Sequence, residues 1–105
     1  MVNTIANKAE LTEILSSEGS VLIDLRSKKE FLKGHVPYAI HLDILKVNVE
    51  EYFEGRDKSL PVLVYCENGT RSRSMVRLLE SMGFNHLFYL ANGIHKWDGE
   101  LDYSR

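Results

Sequence analysis

The sequence has a single cysteine, Cys66, among its 105 residues. One thiol cannot form an internal disulfide, which is typical of proteins kept in a reducing compartment. The sequence also lacks any apolar run near the roughly 20 residues that a membrane-spanning helix needs. Its first residues show no basic stretch followed by an apolar segment, as a secretory signal peptide would have. These absences predict a cytoplasmic protein with no membrane partner.

An excess of charge of one sign is also absent. Lys and Arg number 13 and Asp and Glu number 15, which gives a net charge of −2. This balance indicates no nucleic-acid partner. The sequence has no internal repeat and no low-complexity segment, and its hydrophobic content of 44% is ordinary for a globular protein. We expect one domain over residues 1–105, with its core at about residues 4–97.

Short apolar segments alternate with helical patterns along the chain. Apolar runs predict strands at residues 4–5, 21–25, 39–42, 62–65 and 86–90. Capping signals and apolar spacing predict short helices at residues 28–33, 47–53 and 94–97. They also predict a helix that Asn7 caps and Gly19 stops, and a helix that follows the cysteine turn and runs to Met82. This alternation predicts an α/β fold, in which a parallel sheet carries helices on both faces. We expect the tail at residues 101–105 to be loosely held.

The cysteine lies where a predicted strand passes into a predicted helix. In parallel α/β sheets, ligands bind beyond the carboxyl ends of the strands, and Asp24 and Cys66 each mark such an end. A helix N-terminus offers backbone N–H groups without intrahelical partners and the positive end of the helix dipole. Both stabilise an anion, and a thiolate is an anion. The position therefore indicates a functional thiol.

The turn after Cys66 has features that lower a thiol pKa from the usual value of about 8.5. We expect Arg71 to point its guanidinium into the turn, and Gly69 to let successive N–H groups converge on the sulfur. Glu67 would raise the pKa if its carboxylate faced the sulfur, and we expect it to point to solvent. The alternative is that Cys66 is an inert packing residue. A polar turn is a poor place for packing, which favours the reactive thiol.

The spacing of the four histidines does not predict a metal site, but it leaves a cysteine-protease reaction as an alternative. None is spaced as a metal ligand with the single cysteine, so we expect neither a metal nor a cofactor. His35 and His41 flank a predicted strand and could approach Cys66, as in the dyad of a cysteine protease. His86 lies at the opposite end of the sheet, and His95 is expected on the surface.

Three segments together resemble one known family. They are residues 21–26 (VLIDLR) with Glu30-Phe31 and 34–40 (GHVPYAI), residues 64–72 (VYCENGTRS), and Gly83-Phe84 with 90–94 (LANGI) and Trp97. Their order and spacing resemble those of single-domain rhodaneses, the thiosulfate sulfurtransferases, over about residues 4–97. The resemblance implies the three-layer rhodanese-like fold, with helices on both faces of a mainly parallel five-stranded sheet.

The resemblance also implies a reaction. Cys66 would take sulfane sulfur from a donor such as thiosulfate, hold it as a persulfide and pass it to cyanide or a thiol. A sulfur-accepting protein is a further implied partner. Asp24 and Arg26 correspond to supporting residues, with Arg26 paired to Glu30 as the purely structural interpretation. Within the loop, Arg71 would attract the sulfonate end of the donor. The implied substrate-binding residues are Glu67, Asn68, Gly69, Thr70, Arg71 and Ser72.

Two departures from the family pattern leave alternatives open. Ala91-Asn92-Gly93 stands where the family has paired glycines, and the acidic Glu67 would disfavour thiosulfate by repulsion. A phosphatase or arsenate reductase on the same fold is one alternative, but those relatives have one more residue in the cysteine turn. Here four residues separate Cys66 from Arg71. A non-catalytic sulfur-binding or regulatory module, or a persulfide carrier, is the other alternative.

Overall fold

The computed structural model describes residues 2–103, in which strands and helices alternate. None of the helices in this part of the chain has the length and apolar character to cross a membrane. The elements are β1 (Val2–Ile5), α1 (Lys8–Leu15), β2 (Val21–Asp24), α2 (Lys28–Leu32), β3 (Ile40–His41), α3 (Val49–Phe53), β4 (Val62–Tyr65), α4 (Thr70–Ser81), β5 (Leu87–Leu90) and a final 3₁₀ helix (Gly93–Lys96).

The five strands form one sheet in the order β1-β5-β4-β2-β3, and every neighbouring pair is parallel. The predicted α/β fold with a mainly parallel five-stranded sheet is therefore confirmed. β4 lies in the middle of the sheet, and all four of its residues are buried. This explains its uninterrupted apolar run, because helices cover both faces of a parallel sheet.

Two apolar clusters hold the helices on the sheet. One cluster includes Val64 of β4 and joins the sheet to α3 and α4 through Phe53 and Leu79. The other includes Leu63 of β4 and packs the opposite face against Leu11 of α1 and the 3₁₀ helix. Successive strand residues point to opposite faces, which is why neighbours in β4 enter different clusters. Each such side chain contributes roughly 1.5–3 kcal/mol by its burial.

The helix starts follow the capping signals in the sequence. The Asn7 side chain accepts the Glu10 N–H at 3.0 Å at the start of α1. At the start of α2, Ser27 and Glu30 form a reciprocal capping box. Strand β3 is shorter than predicted, because a turn bonded from the Ala39 N–H to the Val36 carbonyl comes directly before it.

The prediction of a loosely held tail is wrong for residues 101–103. Asp102 forms an antiparallel bridge with His35, and the two residues exchange backbone hydrogen bonds of 2.9 and 2.7 Å. Leu101 and Tyr103 pack their side chains over Gly34. Residues 104 and 105 lie outside the described residues. The closing segment thus contacts the chain that leads from α2 towards β3, near the carboxyl end of the sheet.

Candidate active site

Cys66 stands at the carboxyl end of β4, and its loop leads directly into α4 at Thr70. Its side chain is fully buried, with 0% exposed, and packs in the cluster beneath α4. The expectation that this turn is a poor place for packing is therefore wrong. Burial alone would suit an inert thiol. The polar groups that face the sulfur distinguish Cys66 from an inert packing residue.

Loop hydrogen bonds favour the thiolate form of Cys66. Burial raises the pKa of the thiol. Polar groups of the loop lower the pKa by a larger amount in total, so it lies below its ordinary value; they are the hydroxyl and N–H of Ser72 and the N–H groups of Gly69 and Asn68. The Gly69 nitrogen lies 3.2 Å from Sγ. The buried Ser72 hydroxyl has no hydrogen-bond partner of good geometry within residues 2–103. It is therefore free to turn its proton towards an ionised sulfur.

The 3₁₀ helix fixes the backbone of this loop. The Ile94 N–H donates to the Cys66 carbonyl at 3.0 Å, and the His95 N–H donates to the Glu67 carbonyl at 3.3 Å. These bonds direct the loop carbonyls towards the 3₁₀ helix and leave loop N–H groups facing the sulfur. Gly93 has φ +64° and lies so near both carbonyls that a Cβ there would overlap them. This glycine of the Ala91-Asn92-Gly93 segment is therefore required by the packing.

The predicted substrate-binding groups do not all face the sulfur. The N–H groups of Asn68, Gly69 and Ser72 act on Cys66. The Thr70 N–H donates instead to the Asn68 side-chain oxygen at 3.1 Å, so the Asn68 side chain closes a local turn. The structure thus brings together three of the loop N–H groups that the sequence placed around the thiol.

Arg26 does not pair with Glu30, and that prediction is wrong. Arg26 is 4% exposed, and its Nη2 lies 2.9 Å from Asp24 Oδ2 and 2.7 Å from the Gly34 carbonyl. Its Nη1 lies 3.3 Å from Glu67 Oε1. Burial lowers the pKa of Arg26, but the hydrogen bonds and charge of Asp24 raise it above its ordinary value. Arg26 therefore stays charged and joins β2 to the cysteine loop.

Glu67 and Arg71 each form an ion pair that the sequence did not predict. The Glu67 side chain is 43% exposed, so it reaches solvent as expected, but its carboxylate pairs with Arg26. Arg71 is engaged by a carboxylate of α2, since its Nη2 lies 3.8 Å from Glu30 Oε1. The pKa of Glu30 is below its ordinary value, mainly through the Ser27 N–H and also through the charge of Arg71. Both arginines at the site are thus balanced by carboxylates of the chain itself.

Tyr65 is a site residue that the sequence did not reveal. Its hydroxyl donates to Asp24 Oδ2 at 2.5 Å and accepts the Val36 N–H at 3.0 Å. Burial, followed by the charge of Asp24, raises the pKa of Tyr65, so the phenol stays protonated at neutral pH. The sequence did contain one signal for Tyr65. It is the last residue of β4, and the other three residues of that strand have aliphatic side chains.

The histidines take no part in a dyad with Cys66. His35 is buried and its Nδ1 lies 2.9 Å from the Phe31 carbonyl, while His41 Nε2 lies 2.8 Å from the Arg26 carbonyl. Since a carbonyl only accepts, these nitrogens carry protons and act as structural donors. His86 bonds the Ser59 carbonyl in the same way, and His95 is exposed. Residues 2–103 contain no group of three or more His, Cys, Asp or Glu side chains arranged for a metal.

A family comparison agrees with this arrangement of strand, cysteine loop and helix. The family model described as Rhodanese-like domain matches residues 7–100. The chain belongs to the rhodanese-like domain family. The resemblance seen in the sequence is therefore confirmed, and the matched range covers the cysteine loop, the Asp24–Arg26 pair and the 3₁₀ helix.

Curated relatives within the rhodanese family are similar to the chain over most of its length. It is 34% identical to Thiosulfate sulfurtransferase GlpE from Coxiella burnetii over 88 residues, covering 84% of this chain and 80% of that protein. It is 32% identical to Uncharacterized protein YibN from Escherichia coli over 99 residues, covering 91% of this chain and 68% of that protein. The relative named as a thiosulfate sulfurtransferase, together with the family model, places the chain in a sulfurtransferase family.

Solved rhodanese structures show the same fold. A Rhodanese-like Domain Protein from Staphylococcus aureus aligns with a TM-score of 0.78 and 22% identity, over 98% of this chain and 99% of that one. The Alr3790 protein from Anabaena sp. aligns with a TM-score of 0.75 and 24% identity, over 90% of this chain and 78% of that one. At these identities the likeness establishes the fold alone.

Proposed function

We propose that this rhodanese is a sulfurtransferase that carries sulfane sulfur on Cys66 as a persulfide. The observation that carries the proposal is the buried sulfur that accepts the Gly69 N–H at 3.2 Å and has a lowered pKa. The thiolate is the nucleophilic form of cysteine, so these donors raise its fraction at neutral pH. The relatives named as thiosulfate sulfurtransferases support the same chemistry.

The proposed reaction has two displacements at sulfur. The Cys66 thiolate attacks the outer sulfur of thiosulfate, a Cys66 S–S bond forms, and the S–S bond of the donor breaks so that sulfite leaves with the electron pair. Cyanide or a thiolate then attacks the outer sulfur of the persulfide, the Cys66 S–S bond breaks, and the thiolate returns. The N–H groups of Asn68, Gly69 and Ser72 stabilise the negative sulfur in both steps.

The charge pairs at the site influence the choice of donor. A dianion such as thiosulfate needs an uncompensated cation, yet Arg26 pairs with Asp24 and Glu67, and Arg71 pairs with Glu30. We expect thiosulfate to bind weakly unless Arg71 exchanges Glu30 for the donor. That exchange is accessible because both side chains of the Arg71–Glu30 pair are more than a third exposed. An uncharged persulfide, or a persulfide carried on a protein, does not have to compete with Glu30 for Arg71. Neither displacement at sulfur uses a cofactor.

The alternative enzymes on this fold are less well supported by the site. A phosphatase or arsenate reductase needs a loop that surrounds a tetrahedral oxyanion, and here four residues separate Cys66 from Arg71. The Arg71 guanidinium pairs with Glu30, so its charge is already partly compensated. A persulfide carrier or a non-catalytic sulfur-binding module would use the same loop and differ in turnover.

The test is thiocyanate formation from thiosulfate and cyanide, with intact-mass measurement of the protein after treatment with the donor. We expect turnover and a mass gain of one sulfur atom, both lost in Cys66→Ser and retained in Ser74→Ala, which changes an exposed residue of α4. A sulfur adduct without turnover would indicate the carrier. If neither adduct nor turnover appears with thiosulfate or with an alkyl persulfide, the sulfurtransferase proposal is wrong.

A further inference from the structure

A groove separate from the cysteine loop runs beside α4. Its volume is about 520 Å³, and it lies between α4, β5 and the first residue of β1. Its floor is apolar and partly open, because Val2 of β1 and Tyr89 of β5 are only half-buried there. We call this the α4 groove, and its lining residues are Val2, Arg73, Val76, Arg77, Glu80 and Tyr89.

The two arginines of the α4 groove differ from the other arginines of residues 2–103. Arg26 and Arg71 form ion pairs, and Arg56 lies over two aromatic rings. Arg73 and Arg77 are exposed and have no ion pair, side-chain hydrogen bond or ring contact within the described residues. The chain as a whole carries a net charge of −2. Two guanidinium groups without an ion-pair partner therefore lie beside an apolar floor, in contrast to the slightly negative charge of the chain as a whole.

The groove borders an open strand edge. β1 is the outermost strand and pairs only with β5, so the outer side of Val2–Ile5 has no strand beside it within residues 2–103. Such an edge offers main-chain hydrogen bonds to an extended segment of another protein. Residues four apart on a helix have Cβ atoms about 5–6 Å apart. Alternate side chains of an extended strand are about 6.6 Å apart, so their spacing resembles that of Arg73 and Arg77.

We propose that the α4 groove binds an extended acidic segment of a partner protein. Acidic side chains at alternate positions of the segment pair with Arg73 and Arg77, and apolar contacts cover Val2 and Tyr89. Glu80, at the other end of the groove, repels acidic residues and so directs them towards the start of α4. Arg73 lies within one turn of that start, so the bound partner lies next to the cysteine loop. That this partner exchanges sulfur with Cys66 rests on the proposed function.

The test measures binding of a fluorescent peptide in which Glu alternates with Val. We expect Arg73→Glu/Arg77→Glu to weaken binding at least about tenfold, because two favourable charge pairs become repulsive. The matched control is Lys28→Glu/Lys29→Glu, which makes the same change of net charge on the exposed surface of α2. We expect the control to bind within about twofold of wild type at physiological ionic strength, where distant charges are screened.

Three results would overturn the docking proposal. The first is equal loss of binding in both charge-reversed proteins, which would indicate attraction by net charge alone. The second is equal affinity for a peptide with Lys in place of Glu. The third is displacement of the peptide by millimolar inorganic phosphate, which would indicate a small-anion site.

Sulfur loading of Cys66 by thiosulfate, measured by mass on the same charge-reversed proteins, is expected to be unchanged from wild type. Failure of loading in wild type by both thiosulfate and an alkyl persulfide would contradict the proposed function and leave the docking result standing.

Discussion

At the scale of single residues, the balance between burial and hydrogen bonding decides the state of Cys66. A fully buried thiol in apolar surroundings would be neutral at pH 7, because burial disfavours the charged form. The donors from Ser72, Gly69 and Asn68 oppose that effect and lower the pKa below its ordinary value. Ser72 differs from the other two because it contributes a side chain as well as an N–H. Its hydroxyl can therefore be removed without changing the backbone.

We predict that Ser72→Ala raises the pKa of Cys66 and lowers its reactivity at neutral pH several-fold. Loss of a hydrogen bond to a charged group costs about 1.5–3 kcal/mol, and here the loss falls on the thiolate. The measurement is the pH profile of alkylation by iodoacetamide, followed by mass. Ser74→Ala, an exposed change on the same helix, is expected to keep the wild-type profile. An unshifted midpoint in Ser72→Ala would show that the hydroxyl does not donate to the sulfur.

At the scale of elements, the order β4, cysteine loop, α4 could be predicted from the sequence because its signals are local. The apolar run, the turn and the helical spacing follow one another along the chain, and the capping box at Ser27 and Glu30 is local too. The partners of Arg26 and Arg71 could not be predicted in this way. Glu67 lies 41 residues from Arg26 along the chain, and only the sheet brings them together.

The contact between the 3₁₀ helix and the cysteine loop gives a prediction for Gly93→Ala. The variant is expected to lose about 2–4 kcal/mol of folding free energy, since it combines an unfavourable positive φ with overlap against the Cys66 and Glu67 carbonyls. Urea unfolding measures the loss. Gly55→Ala is the control, because Gly55 has φ +84° and nothing within 4 Å of an added Cβ.

We expect Gly55→Ala to lose only about 1–2 kcal/mol, the cost of the left-handed backbone alone. Alkylation of Cys66 should also slow in Gly93→Ala and stay unchanged in Gly55→Ala, because only the former displaces loop carbonyls. Equal stability losses in the two variants would contradict the role given to the contact between the loop and the 3₁₀ helix.

At the scale of the whole molecule, a buried polar network joins separate parts of the chain. Asp24 ends β2, Tyr65 ends β4, and Arg26 connects them to the Gly34 carbonyl and to Glu67. Such a network is fully effective only while every member has its partners. It positions the cysteine loop against the neighbouring strand end.

We predict that Arg26→Leu destabilises the protein by about 3–5 kcal/mol, because it leaves the buried Asp24 carboxylate without its cation. Arg71→Leu is the matched variant, and it should cost only about 0–1 kcal/mol because its pair with Glu30 is exposed. Thermal unfolding of the two variants under the same conditions provides the comparison. Similar losses in both would mean that the Arg26 network adds no more than a surface ion pair.

The complete burial of Cys66 has a kinetic consequence. A reagent reaches the sulfur only when neighbouring atoms move apart, so the size of the attacking molecule weighs as heavily as its intrinsic reactivity. Small electrophiles and compact sulfur donors need a brief, local opening, whereas bulky aromatic disulfides need a larger and rarer one. The same closure protects the Cys66 sulfur from chance encounters with oxidants. The cysteine loop therefore discriminates between reagents by their size, because larger reagents need rarer openings of the loop.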